Sequence, residues 1–187
     1  AMDYLLPTAA LGEFAESLGT FKLVFDSSYL AKFDQFTPNA DGTSTQESYA
    51  GVNDGDTPFS RFKFNTTLKW AQGQWDASWT ARFIYHTIED CDDGFEPSLS
   101  SLGLCSEPDD DLTDGTDDSK NELETIVYHN VQLNYEIPGW DTKLTMGVIN
   151  LLDQDPPVAF TAFANSFPGT LYEPPGRQPY IKLQKRF

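Results

Sequence analysis

Four aspartates in one short stretch, Asp109, Asp111, Asp114 and Asp117, are the residues whose type and spacing come nearest to metal chemistry. They lie in EPDDDLTDGTDDSKNELE (Glu107–Glu124), with Asp110 and Asp118 beside them. A hard cation such as Ca²⁺ takes several oxygen ligands, and this stretch supplies them. The string DLTDGTDD lacks the alternating ligand positions and closing Glu of an EF-hand, so a solvated acidic loop is the favoured reading and bound Ca²⁺ the alternative. Cys91 and Cys105 are the two cysteines, both in one polar segment without a neighbouring His or Cys to complete a zinc site. They read as a disulfide formed in an oxidising compartment, worth about 3 kcal/mol in the chain-entropy picture. Phe160, Phe163, Phe167 and Tyr172 fall in PPVAFTAFANSFPGTLYEPPGR. Aromatics in such a segment either stack on a ligand or fold the loop onto its neighbours, and both readings stand. His86 and His129 are the two histidines, and no Ser-His-Asp pattern or phosphate-binding glycine loop accompanies them. No enzyme is expected.

Composition narrows the partners. The net charge of −17 argues against nucleic acid, which needs clustered Lys and Arg. Mean hydropathy is −0.44, and no run of eighteen apolar residues marks a transmembrane helix. Alternating strands average out in such a measure, so a membrane β-barrel stays open. Aromatics make up 14% of the chain, enough for girdles at two membrane interfaces or for an aromatic-rich soluble sandwich.

The elements that position these residues show a period of two. In Phe21–Phe33 the residues Phe21, Leu23, Phe25, Tyr29, Ala31 and Phe33 share one side. In Arg61–Trp70 they are Phe62, Phe64, Leu68 and Trp70, and in Trp75–Tyr85 Trp75, Ala77, Trp79, Ala81, Phe83 and Tyr85. Leu123–Tyr135, Thr142–Val148 and Tyr180–Phe187 alternate likewise, with Lys185 interrupting the apolar side of the last, and Met2–Leu6 reads as a strand tail, which makes about seven strands. Only Ala9–Leu18 suggests a short amphipathic helix. Lys22, Asp26, Lys32, Arg61, Lys63, Lys69, Asp76, Arg82 and Lys143 fall opposite the aromatics, where they avoid the roughly 2–4 kcal/mol of a cation facing lipid. His129 falls on the apolar side, near an interface or beside a hydrogen-bonding neighbour. Short turns (AQGQ, EIPGWD) alternate with long polar connections at Asp34–Ser60, His86–Glu122 and Leu151–Pro179. Structureless loops of that length are unusual in compact soluble domains, whereas outer-membrane barrels combine short periplasmic turns with long extracellular loops. The expected aromatic rows are Trp70, Trp75, Tyr135, Trp140 and Phe187 at the short-turn end, and Phe33, Phe36, Phe62, Phe83 and Tyr85 at the other.

The segment GVINLLDQDPP (Gly147–Pro157), with Asn150, Leu151 and Asp153, resembles the penultimate strand and the start of the final loop of TonB-dependent outer-membrane receptors. Leu152 stands where that family usually has Phe. The ending, Pro175-Gly176-Arg177 followed by an alternating strand and Phe187, looks like the same family's closing motif, and YHNVQLNYEIPGWDTKLTMGV is similar too. The resemblance covers about Tyr128–Phe187. It implies an all-β fold: an antiparallel transmembrane segment of about seven strands, the C-terminal portion of a 22-stranded barrel that encloses an N-terminal plug. The plug and the earlier strands lie outside residues 1–187 on this reading, and AMDYLLP opens the chain as if within a strand.

Further implications follow from the family. The protein would sit in the outer membrane of a Gram-negative bacterium, with its C-terminus periplasmic and its long loops extracellular. It would import a scarce nutrient (a siderophore, haem, cobalamin, oligosaccharide or peptide). Its partners would be the remainder of the receptor, the TonB-ExbB-ExbD system acting through the plug, outer-membrane lipid, and the barrel-assembly machinery acting through the last strand. No cofactor is implied. Asn150, Asp153, Gly176 and Arg177 would terminate strands, form turns and anchor the final loop. The competing class is a β protein without transport activity, either a soluble sandwich or an outer-membrane adhesin or scaffold barrel.

Overall fold

The computed structural model describes residues 2–6, 18–91, 97, 99–108 and 119–186. Its architecture is all-β and antiparallel. One sheet carries seven strands: β1 (Met2–Leu6), β2 (Thr20–Tyr29), β7 (Phe62–Gln72), β8 (Trp75–Ile84), β11 (Ile126–Ile137), β12 (Thr142–Ile149) and β13 (Gln178–Lys185). They lie in chain order as a meander, with β1 and β13 as its open edges. The sheet is not closed into a barrel, and the 22-strand assembly lies beyond what seven strands display.

An antiparallel meander puts alternate connections at opposite ends. The tight turns β7–β8 and β11–β12 share one end with the β1–β2 connection, and the three long connections share the other. Gly73, at φ +58°, turns β7 into β8 within two residues, a conformation an L side chain resists. The long connections are not structureless, contrary to the sequence reading. The first holds the hairpins β3 (Asp34–Pro38) with β4 (Ser44–Ser48) and β5 (Asn53–Asp54) with β6 (Thr57–Pro58), and the second holds β9 (Thr87–Asp90) with β10 (Lys120–Leu123). These strands are short and polar, so they carry no apolar alternation to be read.

Other boundaries shift for the same reason. The run read as Leu123–Tyr135 breaks after Leu123, which is buried in the β9–β10 hairpin, and resumes at Ile126. The strand read as Phe21–Phe33 ends at Tyr29, and Phe33 packs instead against Tyr49 and Phe59 within the first connection. Lys32 and Arg61 consequently leave the sheet: Lys32 pairs with Asp34, and Arg61 donates to the Ala31 carbonyl. Most of Ala9–Leu18 lies outside the described residues, and Leu18 is in a turn.

The register sorts the sheet into two faces. One carries Phe21, Leu23 and Phe25 from β2, Phe62, Phe64, Leu68 and Trp70 from β7, Trp75, Trp79 and Phe83 from β8, Val131, Leu133 and Tyr135 from β11, Leu144, Met146 and Val148 from β12, and Ile181 and Leu183 from β13. Phe25, Phe62, Phe64 and Phe83 form a ring cluster toward the long-connection end, with Phe64 stacked on Phe83 at 4.7 Å. Trp75 packs on Tyr135 at 4.4 Å near the short turns, and His129 stacks on Trp79 between the two levels.

The opposite face is polar and laterally bonded. Lys22 pairs with Asp3, Thr67 shares a hydrogen bond with Thr80, and Asp76 accepts from both Asn134 and Lys143. Asn134 in turn accepts from Thr145, and Tyr180 donates to Gln132. Tyr180 crosses above Gly147 so closely that a Cβ there would stand 2.5 Å from its ring, which is why the apolar strand β12 has a glycine at its centre.

The buried core does not lie beneath the apolar face. Ile84, Ile126 and Tyr128, at the long-connection end of the polar face, bury Phe167, Leu171 and Tyr172 of the β12–β13 connection. Ile181 and Leu183 on the apolar face remain 76% and 67% exposed.

Candidate functional site

Three connections meet over the end of the polar face, and one buried carboxylate clips them together. Glu89, on β9, is fully buried. Its Oε1 accepts from Asn121 Nδ2 at 2.6 Å and from the Phe160 amide at 2.9 Å. Its Oε2 accepts from the Thr161 hydroxyl at 2.7 Å and the Thr161 amide at 3.2 Å. A buried carboxylate is tolerated only when so satisfied, so Glu89 welds the β9–β10 hairpin to the final connection. Asn53, from the first connection, donates to the Thr161 hydroxyl, and Asp56 accepts from the Phe163 amide. A parallel bridge joins Val52 to Ile88.

The β12–β13 connection is held at its base as well. Asn150 is fully buried at φ +54°; its side chain bonds both the amide and the carbonyl of Gln154, and its amide donates to Asn130. Arg177 Nε donates to the Leu151 carbonyl, and its guanidinium stands 3.9 Å from Asp153. Asn150 also reaches the Gly176 carbonyl at 3.4 Å. Asn150, Leu151, Asp153, Gly176 and Arg177 therefore converge on one clasp at the mouth of the loop, across which the chain leaves β12 and returns to β13. Phe187 lies outside the described residues.

The four loop aromatics part company. Phe167 and Tyr172 are buried in the core cluster, Phe160 is half-buried above Glu89, and Phe163 is 94% exposed. Burial, above all, pushes the Tyr172 phenol up from its ordinary value; the Thr87 hydroxyl works against this and the Glu89 carboxylate adds to it. Of the four, Phe163 is the one free to meet a ligand.

Cys91 and Cys105 form a disulfide, with their Cα atoms 6.1 Å apart. It joins the end of β9 to the segment whose Glu107 bridges back to Lys120 of β10. Asp109, Asp111, Asp114 and Asp117 lie outside the described residues. Among the described residues no three His, Cys, Asp or Glu side chains are grouped to hold a metal.

Charge on the polar face runs against that of the whole chain. Lys22, Lys63, Lys69, Arg82, Lys143 and Lys182 face Asp3, Asp26, Asp76 and Glu136, an excess of cations in a chain of net charge −17. Two depressions open here. One, of about 390 Å³, lies at the short-turn end beside Gln74, Glu136 and Lys143. The other, of about 220 Å³, lies beside Asp26, Lys63, Asn65 and Arg82, next to the folded final loop. There Arg82 reaches up to the loop: Nη1 donates to Glu173 at 2.6 Å and Nη2 to the Leu171 carbonyl.

Sequence reasoning missed both Glu89 and the Arg82–Glu173 pair. Glu89 sits in a four-residue strand of mixed polarity, and Glu173 in a proline-flanked turn, so neither stands out as chemistry until the fold brings the connections together. Set beside protein-family models, curated proteins and solved structures, the chain matches none of them.

Proposed function

We propose that this chain is the C-terminal barrel wall of a TonB-dependent outer-membrane receptor, importing a scarce nutrient into the periplasm. The observation that carries the reading is the inverted burial of the seven-stranded sheet. Its apolar face, with rings toward both ends, has no protein layer over it among the described residues, while its polar face holds the core and the folded connections. A bare aromatic and aliphatic face of this extent costs a water-soluble protein heavily, but it is what a strand presents to lipid. The resemblance of Gly147–Pro157 and of the closing Pro175-Gly176-Arg177 supports the family, and the gathering of all long connections at one end supports an orientation with loops outward and short turns toward the periplasm.

On this reading lipid covers the apolar face, and further strands join the edges at β1 and β13. A plug fills the space before the polar face and couples it to TonB-ExbB-ExbD. The exposed Phe163 and the outer surface of the three joined connections meet the ligand.

A tryptophan depth measurement tests the membrane half of the proposal. In a variant retaining only Trp79, with Trp70, Trp75 and Trp140 changed to Phe, brominated lipid should quench the fluorescence strongly, because Trp79 stands mid-face. A monodisperse chain in plain buffer, with Trp79 unaffected by brominated vesicles, would leave the sandwich reading in its place.

A further inference from the structure

The geometry points to a subsite for a single ligand carboxylate at Arg82 and Lys63, kept closed by Glu173, whose own carboxylate occupies the Arg82 guanidinium until the ligand displaces it. The inference names a ligand class for the receptor reading and rests on that reading for the polar face being the ligand's path. Everything else in it stands on the site itself.

Arg82 projects from the middle strands onto the polar face, with Asn65 as its cross-strand neighbour on β7. Its two terminal nitrogens are both taken by the final loop, one by a carboxylate and one by a carbonyl. A guanidinium offers a flat fork that matches a carboxylate, so the group now seated there shows what chemistry the site accepts. The pair is partly open to solvent, with Arg82 and Glu173 side chains 31% and 26% exposed, and a pair so placed contributes little net stability. Exchanging Glu173 for another carboxylate leaves the charge balance at Arg82 unchanged, so the exchange is cheap.

The depression beside the pair supplies the rest of the site. Lys63 lines it and forms no ion pair among the described residues. It brings a second cation to the depression that Arg82 lines. Ser28 and Asn65 add neutral hydrogen-bonding groups. Asp26 is the acid of the depression and limits it to one anionic group. At about 220 Å³ the space is below that of pockets that take a whole drug-sized molecule, so it suits one functional group of a larger ligand.

The same contact makes the site responsive. Glu173 directly follows Leu171 and Tyr172, which are packed in the core cluster, and directly precedes Pro174-Pro175 at the return to β13. A ligand that takes Arg82 Nη1 from Glu173 frees the Glu173 side chain and the turn after it, while the Leu171 carbonyl on Nη2 and the packing of Leu171 and Tyr172 keep the rest of the loop on β8. Binding is thereby converted into a change at the closing end of the connection.

The test is a calorimetric titration of the 187-residue chain, folded in detergent micelles, with citrate as probe and inorganic phosphate as comparison. Glu173→Gln should bind citrate more tightly, by up to about fivefold, since it removes the competing carboxylate but keeps the shape. Arg82→Gln should weaken citrate by about tenfold or more, and Lys63→Gln by less. Phosphate should bind more weakly than citrate and depend less on Glu173. Near-UV dichroism of the aromatic clusters reports whether each variant is folded; if Arg82→Gln is not, the Glu173→Gln and Lys63→Gln titrations decide alone. No citrate binding to the unaltered chain, equal affinity in the unaltered chain and the variants, or phosphate preferred to citrate would each overturn the inference. A chain that proves soluble without detergent yet keeps the Arg82 and Glu173 dependence in buffer would sink the receptor reading and leave the subsite standing.

Discussion

The two faces of the central sheet are built from the same strands and obey opposite rules. On the polar face, hydrogen bonds run from strand to strand, and the long connections bury a core at one end. On the apolar face, Phe, Trp, Leu, Ile and Val lie side by side, with none of the described residues layered above them. A soluble sheet buries its apolar face and wets the other. Here the wet face has the internal packing, and on the receptor reading an apolar medium outside the chain covers the other. The two kinds of stabilisation respond to different perturbations.

The largest expected effect lies in the core over the polar face. Leu171 packs there with Ile84, Ile126 and Tyr128. Leu171→Ala should cost about 2–5 kcal/mol, the range for a buried leucine whose cavity does not collapse. Leu183→Ala, the same chemical change on the apolar face, should cost far less in detergent, since Leu183 is 67% exposed and has few protein neighbours to lose. Denaturant titrations followed by near-UV dichroism compare the two. Equal losses would mean that the apolar face is packed against something in solution, and the contrast between the faces would collapse.

Next comes a charge placed on each face. Val131 and Leu68 are flanked by apolar neighbours, while Thr67, next in sequence to Leu68, points to the polar side and bonds Thr80. Val131→Arg should cost about 2–4 kcal/mol for folding into lipid vesicles, as expected for a cation near the bilayer midplane. Thr67→Arg should be tolerated, losing only its bond to Thr80. In a lipid-free setting the Val131→Arg penalty should shrink, because the arginine would then face water. A penalty that is the same with and without lipid would remove the membrane from the account of this face.

How much of this was legible beforehand follows from the same contrast. Strands β7, β8, β11 and β12 could be read because one side of each is almost wholly apolar, and a period of two survives even without a family to compare. The face to which Arg82, Asp76 and Lys143 belong was readable too, since charge falls opposite the rings. The joined connections were not. Their short strands alternate nothing, and their stability comes from pairings across large sequence separations: Glu89 with Thr161, Asp56 with Phe163, Arg82 with Glu173. Such pairings leave no local pattern. The loop aromatics show the limit most clearly: four residues of one type in one segment take three environments, from the buried Tyr172 to the open Phe163, and only the fold of the other two connections decides which.

The smallest effect is confined to the loop core and distinguishes it from the sheet by pH. The Tyr172 phenol is pushed up from its ordinary value near 10, first by burial and further by the nearby Glu89 charge, with the Thr87 hydroxyl opposing. Below that ordinary value the phenol is neutral in both the folded and the unfolded chain, and its contribution is fully present. As pH rises past it, the unfolded chain releases the proton first, so the unfolded state gains and stability falls until the raised folded value is reached. Tyr172→Phe cannot ionise, and so it should lose less stability than the unaltered chain between pH 8 and pH 11. Groups remote from Tyr172 are common to both proteins and cancel in the difference. Denaturant titrations at the two pH values, read through the near-UV signal, give that difference directly. Curves that stay parallel would mean that Tyr172 is already open to water, and with it the end of the loop that Glu173 ties to Arg82; a divergence that appears only on the alkaline side would show that keeping the Tyr172 phenol buried is part of what holds the loop core together.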